Sequence, residues 1–327
     1  MSLQHASPWR RLAITALLAT LTIAGFSSPE AEARSARDHA RAVHQAADKR
    51  VVHGPKYHPP YSAIVIDHNS DQVLHGEKAD EPRHPASLTK IMTLYLLFEQ
   101  LEAGRLRLDT QLGVSALAAQ QPPTKLGLKA NQTIAVEDAI KGLVTKSAND
   151  AAVVVAEAIA GGEAEFAKLM TQKARALGMM STTYINASGL PADEQITTAR
   201  DQAILGCTIQ DHFPEYYRYF STPSFRYRGV EMHNHNALLG QLEGVDGIKT
   251  GYTEASGYNL VASVRRHEKH IVAVVFGGAS HAKRDARMRE LIARYVPMAV
   301  TGRAQIYVRK PRFEQEVQPG DANIGNM

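Results

Sequence analysis

The chain has 327 residues, 44% of them hydrophobic, and a formal charge of +4. That is enough apolar material for one large domain or two small ones with a substantial core. A single cysteine, Cys207, excludes an internal disulfide and a cysteine-based zinc site, and no basic stripe interleaved with aromatics argues for nucleic-acid binding.

The chain opens like an export signal. Arg10 and Arg11 precede an apolar stretch, Leu12 to Phe26, that is short for a membrane span, and Ala31-Glu32-Ala33 offers small residues at a peptidase site. The expected signal peptide is 1–33, cleaved after Ala33. Residues 34–58 are basic, rich in histidine and without apolar periodicity, so they read as a flexible linker. Its His39, His44, His53 and His58 lack metal-ligand spacing, and no metal is expected.

A single catalytic domain is expected over 59–300, with a disordered tail at 301–327. Ile64 and Ile66, the turn residues 67–71, then Val73 and Leu74 predict a β-hairpin. Pro85 precedes a helix from Ala86 to Glu102, with Ile91, Leu94, Tyr95, Phe98 and Leu101 at helical spacing and Gly104 after its end. Ser87 is thereby placed in the first turn, where free N–H groups favour developing negative charge. Further helices are predicted at Val136–Leu143, Ala151–Ala160 (apolar all round, hence buried), Ala164–Leu177 and Thr198–Ile209, with a loop at Asn186–Asp193. Cys207 lies in the last of these and reads as a small buried hydrophobe. Strands are predicted at Phe225–Tyr227, Val230–His233, Gly247–Gly251, Asn259–Val264 and Ile271–Phe276, and a closing helix at Ala286–Tyr295. The order implies an α+β fold whose antiparallel sheet joins both ends of the domain and is flanked by helices, with a helical subdomain between.

Three short motifs carry chemistry. In Ser87-Leu88-Thr89-Lys90 a hydroxyl and an amine lie one helical turn apart, so the lysine can take the serine's proton. Alone, the pair would read as a capping serine and an exposed lysine, and Ser280-His281-Ala282-Lys283 repeats the pattern with no expected role. The difference is the company: Ser147-Ala148-Asn149 and then Lys249-Thr250-Gly251 follow, each occurring once. Ser87 is the expected nucleophile and Lys90 its base. A lysine with a pKa of about 10.4 is neutral in roughly one molecule in several thousand at pH 7, so burial and a nearby cation, Lys249, must depress it. Ser147 is read as a proton relay and Asn149 as a partner for a substrate amide, although Ser, Asn and Asp150 are also ordinary helix caps. Gly251 lets a substrate backbone lie against its strand, where Lys249 and Thr250 can hold a carboxylate.

In order and content these motifs resemble those of the serine-type D-alanyl-D-alanine carboxypeptidases, the low-molecular-mass penicillin-binding proteins. The resemblance spans about Tyr61 to Tyr295 and is carried by Pro85–Thr93, Lys146–Ala152, Asn186–Pro191 and Asp246–Thr253. It implies a penicillin-binding protein/β-lactamase-like fold and a periplasmic enzyme that removes the terminal D-alanine from peptidoglycan stem peptides ending in D-Ala-D-Ala. It also implies an acyl-enzyme on Ser87, covalent inhibition by β-lactams and no cofactor. The oxyanion hole it implies is built from the Ser87 and Tyr252 N–H groups. It further implies a late arginine for the substrate carboxylate, with Arg284 the better match and Arg287 the alternative. Tyr252 stands where some relatives have histidine, and the stretch after Tyr295 shows no amphipathic helix, so no C-terminal membrane anchor is expected. The rival readings are a D,D-endopeptidase on cross-linked peptidoglycan, a catalytically dead binding module, and a serine β-lactamase. The last would need a deacylating glutamate, for which Glu194 has the wrong neighbours.

Overall fold

A computed structural model describes residues 58–302. The expected leader, almost all of the linker and nearly all of the tail therefore lie outside the described residues. The N-terminal hairpin is β1 (Ser62–Asp67) and β2 (Gln72–Glu77). β1 is buried along its whole length, because its period-2 alternation feeds two cores: Ile64 and Ile66 enter one, Ala63 and Val65 the other. A 3₁₀ turn, Ala86–Leu88, leads directly into α1 (Thr89–Glu102). Ser87 thus sits in this tight turn and not, as periodicity suggested, within the first turn of the α-helix.

The middle of the chain is helical. β3 (Gln111–Gly113) pairs with β4 (Thr133–Ala135), with α2 (Ala116–Ala119) between them. Then follow α3 (Val136–Thr145), α4 (Asn149–Ala160), α5 (Glu163–Ala176), α6 (Ala199–His212) and α7 (Pro214–Tyr217). α4 is buried from Asn149 to Ala156, as its all-round apolar pattern requires, and Gly161 ends it in the left-handed region. Cys207 is partly buried against the core.

β5 (Ser224–Tyr227) and β6 (Val230–His233) form a separate two-stranded ribbon. β7 (Val245–Thr253), β8 (Gly257–Arg266) and β9 (Lys269–Gly278) complete an antiparallel sheet in the order β2-β1-β9-β8-β7. Ala63 pairs with Val275, and Ile248 with Ala262. The closing helix, α8 (His281–Tyr295), begins earlier than the periodicity indicated. Ser280 is its N-cap, accepting from the Lys283 N–H at 3.1 Å, so the second Ser-Lys pattern is spent on capping. The large core, with α1, α4 and α6, lies on one sheet face, and a smaller core with Met288, Leu291 and Ile292 of α8 on the other. The fold is α+β with an antiparallel sheet and a helical subdomain. Among the described residues no helix is long and apolar enough to cross a membrane.

The fold also builds one wall of the cleft described below. Buried Asp150 accepts from the N–H groups of Leu126, Gly127, Leu128 and Ala151 at 2.9–3.0 Å. It thereby ties the loop between α2 and β4 to the start of α4. Asp150→Ala strands three loop amides, and we expect a loss of about 3 kcal/mol. Thermal unfolding should register it as a fall of roughly 6–12 °C.

Candidate active site

Ser87 and Lys90 meet as their spacing requires. Lys90 Nζ donates to Ser87 Oγ at 3.1 Å and is itself fully buried. It also donates to Asn149 Oδ1 at 2.8 Å and to the Ser188 carbonyl at 2.5 Å. These acceptors fix the ammonium's position without neutralising it. Burial first, and the Lys249 charge second, drive the Lys90 pKa well below the ordinary lysine value, against weaker attraction from Asp150 and Glu163. Burial is the larger of the two causes, ahead of the Lys249 charge that the sequence pointed to.

The loop at residues 186–191 does more than sequence reasoning assigned to it. The Asn186 side chain accepts from the Gly189 N–H at 2.7 Å and donates to the Leu190 carbonyl at 3.0 Å. Gln195 accepts from the Ile185 and Asn186 N–H groups. Thr93 Oγ1 donates to the Ala187 carbonyl at 2.6 Å, and the Ala187 N–H donates to Glu163. A loop pinned at this many points delivers the Ser188 carbonyl to Lys90. Gly189 is left-handed at φ +84°, and a Cβ there would fall 1.9 Å from the Ala86 carbonyl oxygen. Only glycine lets the loop touch the turn that carries Ser87.

Ser147 and Asn149 arrive at the site from the break between α3 and α4, where Ser147 is left-handed at φ +59°. The Ser147 hydroxyl is buried and without a hydrogen-bond partner. Asn149 differs from expectation: with Oδ1 on Lys90 and Nδ2 on the Pro122 carbonyl at 2.9 Å, both ends of its amide are already engaged within the protein.

Lys249, Thr250 and Gly251 lie along β7, and Gly251 comes up against the turn that carries Ser87. A Cβ at Gly251 would stand 3.1 Å from the Ser87 nitrogen and 3.2 Å from that of Leu88, which is why this strand can lie so near the turn. Lys249 Nζ is buried and donates to the Thr250 carbonyl at 2.9 Å; burial and then Arg284 push its pKa down to about 7. Of the two arginines, Arg284 reaches the cleft. It is 1% exposed, donates to Asp285 at 2.7 and 2.9 Å, and lines the cavity. Arg287 turns to Tyr61 and Glu290 instead.

Ser87, Ser147, Asn149, Thr250, Gly251, Tyr252 and Arg284 all line one cavity of about 510 Å³. Lys90 and Lys249 stand behind its wall. Among the described lining residues there is no carboxylate, and Glu194 is exposed elsewhere. Among the described residues no cluster of ligating side chains could hold a metal. Sequence reasoning missed His235, Tyr258 and His281, which also line the cavity. The rings of Tyr252 and Tyr258 lie 4.3 Å apart, and those of Tyr258 and His281 4.4 Å. The pairing of Tyr252 with Tyr258 across β7 and β8 was the one available signal.

A family model described as D-alanyl-D-alanine carboxypeptidase matches residues 49–280. The D-alanyl-D-alanine carboxypeptidase DacA of Escherichia coli strain K12 is 37% identical over 239 residues, covering 71% of this chain and 59% of that protein. The chain thus spans about three fifths of the length of such curated relatives. Penicillin binding protein 5 from Haemophilus influenzae superposes with a TM-score of 0.69 at 31% identity, over 73% of this chain and 71% of that one. Penicillin-Binding Protein D2 from Listeria monocytogenes, in its ampicillin-bound form, gives 0.62 at 30% identity, over 71% and 95%.

Proposed function

Because the chain belongs to the D-alanyl-D-alanine carboxypeptidase family, we propose that it removes the terminal D-alanine from peptidoglycan stem peptides through an acyl-enzyme on Ser87. The observation that carries this reading is the 3.1 Å contact between Ser87 Oγ and a buried lysine of depressed pKa, at the floor of a cavity that also presents Arg284.

The geometry supports the following course. Neutral Lys90 accepts the Ser87 proton as Oγ attacks the carbonyl between the two D-alanines. The oxyanion is received by the Ser87 and Tyr252 N–H groups, and the terminal carboxylate by Thr250 and Arg284, with Lys249 adding positive charge from behind. Ser147, whose hydroxyl lacks a partner, passes the proton on to the departing amine, and the C–N bond breaks. Asn149 serves chiefly to hold Lys90, since its amide is occupied there. Water then hydrolyses the ester, with Lys90 again the base.

A β-lactam follows the same first step, but its departing nitrogen stays tethered and blocks water. No lining carboxylate is present to drive deacylation, so the ester persists and the protein is inhibited rather than acting as a β-lactamase. The Listeria relative in ampicillin-bound form supports this reading. The sequence of residues 1–33, which reads as an export leader, supports a periplasmic location for this activity.

The test is D-alanine release from a synthetic peptide ending in D-Ala-D-Ala. We expect release by the wild-type chain and loss of at least about 10³-fold in Ser87→Ala, which removes the nucleophile. Release that survives in Ser87→Ala would overturn the assignment. A folded wild-type chain that releases nothing, yet cuts cross-linked muropeptides, would establish the endopeptidase instead.

A further inference from the structure

The aromatic side chains of the cavity form a continuous stack to which the reaction course above gives no task. Tyr252 and Tyr258 stand directly opposite each other on β7 and β8, with ring centroids 4.3 Å apart and planes at 32°. His281, the first residue of α8, adds a third ring 4.4 Å from that of Tyr258. All three line the cavity, and Tyr252 is 53% exposed.

Backbone packing holds this stack beside the carboxylate grip. Tyr258 pairs with Gly278 across β8 and β9. A Cβ added at Gly278 would stand 2.8 Å from the Arg284 Cβ and 2.9 Å from the Tyr258 carbonyl oxygen, so glycine is what lets α8 close on the sheet here. Arg284 follows His281 by one helical turn on the same helix face. Its Nη1 lies 3.5 Å from the carbonyl oxygen of Asn259, the residue after Tyr258. The stack therefore runs from Tyr252, whose N–H is the proposed oxyanion donor, to the flank of Arg284. A departing residue, joined to the scissile carbonyl at one end and held by its carboxylate at the other, spans the same interval. D-alanine sets only one methyl against these rings.

We propose that the Tyr252-Tyr258-His281 stack is a subsite for the departing residue's side chain, and that it selects an aromatic D-residue over an aliphatic one of the same bulk. The inference rests on the carboxypeptidase reading. An aryl side chain extends a stack that is already in place, so the rings need no ordering to receive it. The covalent chemistry is unchanged: the same C–N bond breaks, and the amine of an aromatic D-amino acid leaves with the relayed proton.

The experiment measures kcat/KM on peptides that differ only in the last residue: D-alanine, D-phenylalanine or D-cyclohexylalanine. Cyclohexyl matches phenyl in bulk and is the more apolar, so burial alone favours it. We expect the wild-type chain to prefer D-phenylalanine to D-cyclohexylalanine by roughly three- to tenfold. That ratio should fall to about one or below in Tyr258→Leu, which removes the middle ring. In His281→Ala, at an exposed position, it should fall by about half or more. Taking the ratio cancels a general loss of folding or nucleophilicity. A wild-type ratio at or below one, or a ratio that either variant leaves unchanged, overturns the subsite while D-alanine release keeps the carboxypeptidase standing. Release of D-alanine with neither bulky peptide cleaved does the same. Inactivity on all three peptides overturns both.

Discussion

Lys90→Ala should lower acylation by a fluorescent penicillin by about 10²–10⁴-fold, the span expected for loss of a positioned base. The serine remains, but among the described residues no other side chain hydrogen-bonds its hydroxyl. Lys90→Arg should be no better, because a guanidinium cannot be deprotonated at working pH. The same lysine sets the pH dependence. A base must be neutral, so kcat/KM rises as pH climbs through the depressed Lys90 pKa. It falls again from near neutrality, as Lys249, with its pKa at about 7, loses the charge that favours an anionic substrate. The profile of the free enzyme is therefore a bell whose alkaline limb begins well below the ordinary lysine range. A Lys90→Ala variant that acylates at the wild-type rate, or a wild-type rate flat from pH 5 to 9, would remove Lys90 from the mechanism.

Gly189→Ala should be nearly as damaging, though the residue is not chemically reactive. Its new methyl would lie 1.9 Å from the Ala86 carbonyl oxygen and 2.4 Å from the carbonyl carbon, both backbone atoms beside Ser87. Either the loop or the nucleophile's turn must move, which displaces the Ser188 carbonyl from Lys90. We expect a loss of about 4 kcal/mol, toward the exceptional end for a point change, and acylation down by at least about 100-fold. Gly178→Ala is the matched control. It has nearly the same φ, +85°, but nothing within 4 Å of the added carbon, so it should cost only about 1–2 kcal/mol. Melting temperatures and acylation rates of the two variants separate backbone strain from collision. Equal losses would mean that the contact with Ala86 has no special part.

The side chains proposed to react were legible as candidates because their chemistry restricts residue type. Only a few residues can serve as nucleophile or base, and a one-turn spacing says which pair touch. Of the long elements, α1 was legible because its apolar residues recur at helical spacing, and α4 because an apolar run that long, closed by Gly161, fits a buried helix better than a strand. Three-residue β3 and β4 were not, since strands that short are set by what packs on them rather than by their own pattern. The Ser188 carbonyl escaped notice because a backbone acceptor has no residue signature. His235 was missed for a related reason: its place comes from Asn236 bonding to Gly247, a contact that only the folded chain creates. The engaged amide of Asn149 likewise depends on where Lys90 and Pro122 end up.

The strand order has a consequence for how the chain reaches this state. β1 has β2 beside it at once, but its other neighbour is β9, where Ala63 meets Val275. Until the last strand is available, the most buried strand of the domain has an open edge and half its apolar side chains in water. Closure is thus a late, long-range event, and such topologies fold slowly. A chain emerging from a ribosome or a translocation pore stays threadable until nearly all of the domain has passed, and it then locks with sheet and nucleophile together.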